Sequence, residues 1–357
     1  MSLRALLGKE LRWSKHNIAA LVVLLLLLPG VFAYTSVAFQ HVIPQDAPVA
    51  VVGSDETVTE NELEVVDAAA SLFAKPVRYE SKEAAIDGLK RESVYAVVTV
   101  EPGLLNDSSE TNLTLSVDGS MVLFDKPSEA MLGILNYRLN RNVPGSVSVN
   151  REILGGQHTL AEYLVPILLV GVMILFAFTY VPYNLANESR AIQRVRTESS
   201  LEALVTSKLI FFTVAMLVPI GVFAALISDW GLGYDMAAIT PGAVLVLLLT
   251  FVSMTAISMA IMLVTRFGVT GRFVAVIVLF GLFAFGGLIY PAGFFSPLRR
   301  TIVRAMPVHY SIITLRGELL RDLPLSTYSD YIWILVATAV ASLVVLKLAI
   351  VVYRRGE

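Results

Sequence analysis

The feature that most restricts this chain is a series of uninterrupted apolar runs, the first of them Ile18–Ala38 (IAALVVLLLLLPGVFAYTSVA). A run of about 20 apolar residues matches the hydrocarbon thickness of a bilayer when it is helical. Inside hydrocarbon, only helices and closed barrels satisfy every backbone polar group. Further runs at 160–182, 209–227, 243–264, 273–289 and 331–353 predict an α-helical integral membrane protein with six transmembrane helices. Composition agrees: 56% of residues are hydrophobic and 16% charged, with a mean hydropathy of +0.71. Soluble chains of this length rarely reach such values. Pro29-Gly30 predicts a kink in the first run. That run is long and no clean small-x-small cleavage pattern follows it, so it is expected to be a retained membrane helix rather than a signal peptide.

Residues 39–159 differ in character. Between Phe39 and Leu160 there are 18 acidic and 9 basic residues, whereas the rest of the chain is basic. Apolar strand-like stretches (APVAVVGSD, PVRYES, VYAVVTVEP, NLTLSVDGS) alternate with helical ones at Thr59–Phe73, Ser81–Glu92 and Asp125–Asn142. Thr59 with Glu62 forms a capping-box pattern, and Ser81 is a second N-cap. The pattern predicts a compact α/β domain inserted between helices 1 and 2, with helix Asp125–Asn142 leading back to the membrane. It holds no glycine-rich phosphate loop, catalytic triad or metal-ligand cluster. The chain has no cysteine, which excludes disulfides, thiolate metal sites and a cysteine nucleophile. The excess of acid in 39–159 fits either ligand or partner binding or plain solubility.

Charge sets the expected orientation. Segments 1–17, 183–208, 265–272 and 354–357 are rich in Lys and Arg, whereas the loop 228–240 has neither. Both termini are therefore expected in the cytoplasm of a multi-pass cell-membrane protein, with 39–159 outside. Residues 1–17 read as an amphipathic cytoplasmic helix. The proline-broken segment 290–330 is expected outside as short re-entrant helices. It runs against the charge rule, because it holds Arg299, Arg300, Arg304, Arg316 and Arg321.

The runs contain almost no ionisable residue, and the four histidines lie outside them. Ion-coupled transporters usually need a carboxylate or histidine at membrane depth. Intramembrane proteases need a dyad or HExxH, and no Walker sequence occurs either. Any active transport would thus draw its energy from a partner on the cytoplasmic side. The polar stretch Asn187–Lys208 (NESRAIQRVRTESSLEALVTSK) is the candidate handle. As a helix it would gather Ile192, Val195, Leu201, Leu204 and Val205 on one side.

Two segments resemble the ABC transporter permeases of the ABC-2 type. In ESSLEALVTSK (198–208), Leu201-Glu202 and Val205-Thr206 match the family's cytoplasmic segment. Ser199-Ser200 replace its Gly-Thr, and Ser207 or Lys208 its usual Pro. In FGGLIYPAGFFSPLRRTIVRAMPVHYSIITLRGEL (285–319), Gly286, Pro291, Pro297, Leu298, Pro307, Tyr310, Leu315 and Arg316 fall in the family's order. One span, a large outer domain, then five spans is similar to the subgroup with a large extracellular domain. The resemblance implies a non-enzymatic permease subunit that carries no cofactor of its own. It implies a second permease copy or homologous permease, and two copies of an ABC ATPase subunit that holds the ATP and magnesium. Membrane lipids are expected neighbours, and nucleic acid is not. Glu188, Arg190, Arg194, Arg196, Glu198 and Glu202 would contact the ATPase through a coupling helix, with solubility or interfacial anchoring as the competing explanation for each. Gly286, Gly287, Pro291, Pro307 and Arg316 would shape the extracellular gate. Arg316 and Glu318 are expected to pair with each other or to bind headgroups. An exporter of a hydrophobic or amphiphilic substrate is the implied function. A membrane-anchored receptor or scaffold acting through its extracellular domain is the alternative.

Overall fold

The structure is a computed structural model and describes residues 46–106, 110–187, 200–228 and 234–355. The expected N-terminal helix, the first span and most of the coupling segment lie outside these residues.

A five-stranded sheet occupies 47–154. Its central strand β1 (Ala47–Gly53) is buried almost throughout, as a strand covered on both faces should be. β1 pairs in parallel with β2 (Ala74–Arg78) and β3 (Val97–Val100), placing Ala50 opposite Val97. β4 (Glu110–Asp118) runs antiparallel to β3, and β5 (Ser146–Leu154) parallel to β4, giving the order β2-β1-β3-β4-β5. Alternation along β1 sends neighbours to opposite faces. Val49 and Val51 pack with Val66 of α1 (Glu60–Ala70) and Leu135 of α3 (Asp125–Asn142). Ala50 and Val52 pack with Ala85 and Leu89 of α2 (Lys82–Lys90).

The four expected strands and three expected helices all form, with both predicted N-caps in place. One expectation is corrected: α3 does not lead back to the membrane, because the chain first returns to the sheet as β5. Two asparagines one turn apart on α3 explain the detour. Asn140 donates to the Val147 carbonyl at 2.7 Å and accepts from its N–H at 2.9 Å. Asn136 does the same at Val149, at 3.3 and 2.9 Å. Alternate residues of an edge strand, whose backbone would otherwise be open, thus find partners on a helix.

After Thr159 the chain is helical. Thr159 and Glu162 form a second capping box at the start of α4 (Leu160–Leu175). α4 passes through a single π turn (Phe176–Tyr180) into α5 (Val181–Asn187). The π turn immediately precedes Pro182, which has no N–H to give to a regular α ladder. α6 (Leu201–Ala215) and α7 (Leu217–Ser228), α8 (Pro241–Val264), α9 (Val269–Phe285) and α12 (Ser329–Arg355) complete the apolar set. Among the described residues, four helical stretches are long and apolar enough to cross a membrane: Leu160–Asn187, Leu201–Ile227, Pro241–Val264 and Leu325–Arg355. Val269–Phe285 is apolar but shorter. α8 is the central post and packs against α12, α9, α6 and α5. Its Thr250, Ser253, Thr255 and Ser258 are all buried, which allows close helix approach.

Between α9 and α12 the chain is broken as its prolines require. It forms a 3-10 turn (Ala292–Phe294), α10 (Pro297–Ala305), α11 (Pro307–Leu320) and a second 3-10 turn (Leu325–Tyr328). Pro297 and Pro307 occupy first-turn positions, where a missing N–H costs nothing. From Val308 to Leu320, Tyr310 is the one residue of α11 that is not buried.

Two outcomes follow for the α/β unit. Asn140→Ala removes both hydrogen bonds to Val147, and a third to the Asn136 carbonyl, and should cost about 1–3 kcal/mol, seen as faster hydrogen exchange at Val147. Burial of Glu62 favours its neutral form, but hydrogen bonds from Thr59 and Gly103 outweigh this and lower its pKa. Its stabilising contribution is therefore complete above the ordinary value of 4.5 and is lost as pH falls through the lower folded value. Glu62→Gln should remove that part of the acid sensitivity of unfolding, measured as melting temperature against pH.

Candidate functional site

The α/β unit and the helices meet at a buried cluster of charges, and it begins with a helix ending. α2 closes in a Schellman arrangement. The Ser93 N–H donates to the Gly88 carbonyl at 3.0 Å, and the Glu92 N–H to Leu89 at 3.1 Å. The left-handed position is usually glycine, yet here it is Glu92, with φ +54°. A side chain in that conformation costs about 1–2 kcal/mol. Glycine would avoid the cost but would carry no carboxylate.

That carboxylate is what the turn delivers. Glu92 is 2% exposed. Its Oε2 accepts from Arg316 Nη2 at 2.9 Å, and its Oε1 from Arg321 Nη2 at 3.1 Å. Arg321 Nε also donates to Asp118 Oδ2 at 2.6 Å, and its Nη1 to the Lys90 carbonyl at 2.8 Å. Arg316, fully buried, donates through Nη1 to Tyr163 Oη at 2.6 Å. Tyr163 Oη in turn donates a hydrogen bond to the Ile289 carbonyl at 2.8 Å. Two guanidiniums thus face two carboxylates, so the buried charges balance, as groups removed from water must. Burial works against the charge on Arg321, but Asp118 and then Glu92 more than offset this and raise its pKa.

The turn after α2 is held from a second side. Tyr328 Oη donates to the Lys90 carbonyl at 3.0 Å, Tyr331 Oη to the Arg91 carbonyl at 3.1 Å, and Arg91 pairs with Asp330. Tyr328 fits because residue 317 is glycine: a Cβ there would lie 2.2 Å from the Tyr328 hydroxyl. The 3-10 turn at Ala292–Phe294 docks separately. A Cβ on Gly293 would lie 2.2 Å from the buried Tyr95 ring. Phe294 meets Phe124 edge-on at 5.9 Å, and Arg300 Nη2 donates to the Asp46 carbonyl at 2.8 Å.

These contacts account for four of the five arginines that strained the charge rule; the fifth, Arg304, is exposed. Arg299 Nη2 donates to the Ala284 carbonyl and its guanidinium lies 3.8 Å over the Phe295 ring. Arg300, Arg316 and Arg321 are likewise bound within the protein. A cation held by internal partners is not free to bias an open loop toward one side.

Among the expected gate residues, Gly286 caps α9, Gly287 has φ +67°, Pro291 opens a 3-10 turn and Pro307 starts α11. A Cβ on Gly287 would lie 2.8 Å from Val303 Cγ1. The expected pairing of Arg316 with Glu318 or with headgroups is corrected. Arg316 has no exposed surface and binds Glu92, whereas Glu318 accepts from Thr240 Oγ1 and lies against Gly242. They are two residues apart on a helix, so they point to different faces.

Glu202 sits in the first turn of α6 and pairs with Arg354 near the end of α12. Phe267 contacts Tyr353 with ring centres 5.4 Å apart. Because α12 runs from Asp330 at the seam to Arg354, the start of α6 and the turn at 265–268 lie at the end away from the α/β unit. Glu188, Arg190, Arg194, Arg196 and Glu198 lie outside the described residues.

Sequence reasoning missed Glu92, Asp118, Tyr163 and Arg321 as a set. The available signal was a helix stop, Lys90-Arg91-Glu92-Ser93, with no glycine or asparagine to accept the left-handed position. Glu92→Gln should cost about 3–5 kcal/mol, because it leaves buried guanidiniums with one carboxylate between them. Adding Arg316→Met should recover part of that loss. A double-mutant cycle in thermal unfolding checks the pair, and a cycle that closes to zero would remove it.

A family model described as an ABC-2 family transporter protein matches residues 18–350, nearly the whole chain. No curated protein and no solved structure matches the chain at a significant level. The match spans the seam, the apolar helices and both segments that carried the sequence resemblance. With its apolar helices the chain is a multi-pass membrane protein, and it belongs to the ABC-2 family of transporter proteins.

Proposed function

We propose that the chain is the permease subunit of an ATP-driven exporter, powered by a separate ABC ATPase. In this arrangement six spans cross the cell membrane, both termini are cytoplasmic, and the α/β unit is the extracellular domain between the first two spans. Two permease copies, or this chain with a homologue, pair with two ATPase subunits. The coupling segment 183–208 docks on the ATPase through Glu188, Arg190, Arg194, Arg196, Glu198 and Glu202. The broken segment 290–330 with Gly286, Gly287, Pro291 and Pro307 forms the outer gate. A hydrophobic or amphiphilic substrate suits the apolar helices.

The observation that carries this is the chemistry of the apolar helices. Among the described residues, every Asp, Glu, Lys and Arg in them lies within about two turns of a helix end. No histidine occurs in them. An ion-driven carrier would need a titratable or coordinating group at mid-depth. The basic ends cluster opposite the α/β unit, which supports a cytoplasmic face there.

The seam adds a role for Arg316 within this mechanism. It acts as a strut rather than a pore-lining cation, carrying movement of α11 to the α/β unit through Glu92. Conversely, a load on the α/β unit would reach α11 by the same contact.

The test is reconstitution. The chain should co-purify with an ATP-binding subunit encoded beside it. Arg194→Ala with Glu198→Ala should abolish most of the stimulation of ATP hydrolysis while leaving membrane insertion intact. Transport by the purified chain alone, without ATP, would overturn the proposal.

A further inference from the structure

The seam contains a cavity of about 520 Å³, within the usual size range for small-ligand sites. It is built by both parts of the protein. α2, the end of β4 and the end of β5 supply one wall, and residues 235–238 with the end of α11 supply the other. Its apolar surface comes from Ile86, Leu89, Leu154, Met236 and Leu323.

The polar surface has a clear sign. Asp118, Asp235 and Asp322 line the cavity with Lys90 and Arg321. Arg321 is committed to Glu92 and Asp118, at 3.1 and 2.6 Å. Lys90 faces Asp87 at 3.4 Å. Asp235 and Asp322 have no ion-pair partner among the described residues and are exposed. The uncompensated charge on the wall is therefore negative.

An independent observation concerns His158, also on the wall, whose side chain is 4% exposed. Its Nε2 lies 2.6 Å from the Leu320 carbonyl, which can only accept, so Nε2 carries the proton. Its Nδ1 is buried with no hydrogen-bond partner among the described residues, and lies 3.6 Å from Glu162 Oε2.

We propose that this cavity binds an amphipathic organic cation. Its apolar part packs on Leu89, Leu154 and Met236, and its ammonium group sits against Asp235 and Asp322. The site depends on the seam and not on the energy source, so it stands whether or not an ATPase drives the chain. Because the ligand would touch α2, β4 and α11 together, occupancy would tighten the contact between the α/β unit and the helices.

The test uses the full chain in phosphatidylcholine nanodiscs, titrated calorimetrically with three probes that share an aryl-alkyl body: 4-phenylbutylammonium, 4-phenylbutan-1-ol and 4-phenylbutanoate. Empty nanodiscs correct for partition into lipid. The ammonium should bind most tightly, and added salt should weaken it. Asp235→Asn with Asp322→Asn should weaken ammonium binding by about ten-fold or more, leaving the alcohol unchanged. Glu64→Gln, on the opposite face of the sheet from α2, should have no effect. Gly156→Leu gives a check that does not depend on charge. A Cβ there makes only ordinary contacts, with His158 Nε2 at 3.5 Å, and a larger side chain would enter the cavity and block all three probes. Equal binding of the three probes, or ammonium binding untouched by either variant, would overturn the proposal.

Discussion

One carboxylate lies at the centre of the contact between the two parts of this protein. Glu92 is buried between two guanidiniums that come from the end of a single helix, α11. Without it Arg316 would have no ion-pair partner and Arg321 only Asp118, and an unpaired buried cation costs several kcal/mol, about as much as a domain's whole margin of stability. The dependence also runs the other way. Glu92 keeps an unfavourable backbone conformation because Arg316 and Arg321 fix its side chain. The local strain and the long-range ion pair are thus two halves of one arrangement. Such a contact is better suited to fixing register between bodies than to adding net stability.

Much of the fold was legible. Runs of apolar residues announced the four long apolar helices among the described residues, and period-two alternation with Ser and Thr caps announced most of the α/β unit. β5 was not legible. SVSVNREIL is half exposed and breaks its alternation at Asn150-Arg151-Glu152, and what secures it is a pair of asparagines on the preceding helix. Mid-helix asparagines usually signal nothing more than a weak helix former. The break pattern of 290–330 could be read because proline acts locally.

The candidate site was harder to foresee, for a physical reason. Glu92, Asp118, Tyr163, Arg316 and Arg321 are spread over more than 200 positions, and their pairing depends on how a sheet docks onto helices. Nothing local marks Arg316 as buried, and a neighbouring Glu318 offered a false partner. The lesson is specific to arginines in broken outer segments of membrane chains. Their charge counts toward topology only when it is not already committed inside the protein.

The asparagine pair on α3 has a wider consequence. A sheet edge invites another strand, and many proteins recruit partners by lending that edge. Here β5 already meets side-chain amides at Val147 and Val149. The opposite edge, β2, carries Pro76, which has no N–H to lend. Both margins are therefore partly blocked against strand exchange. Whatever the α/β unit meets, another copy of itself included, is better met through helices and loops, and the sheet is less open to the edge-to-edge stacking that leads to aggregation.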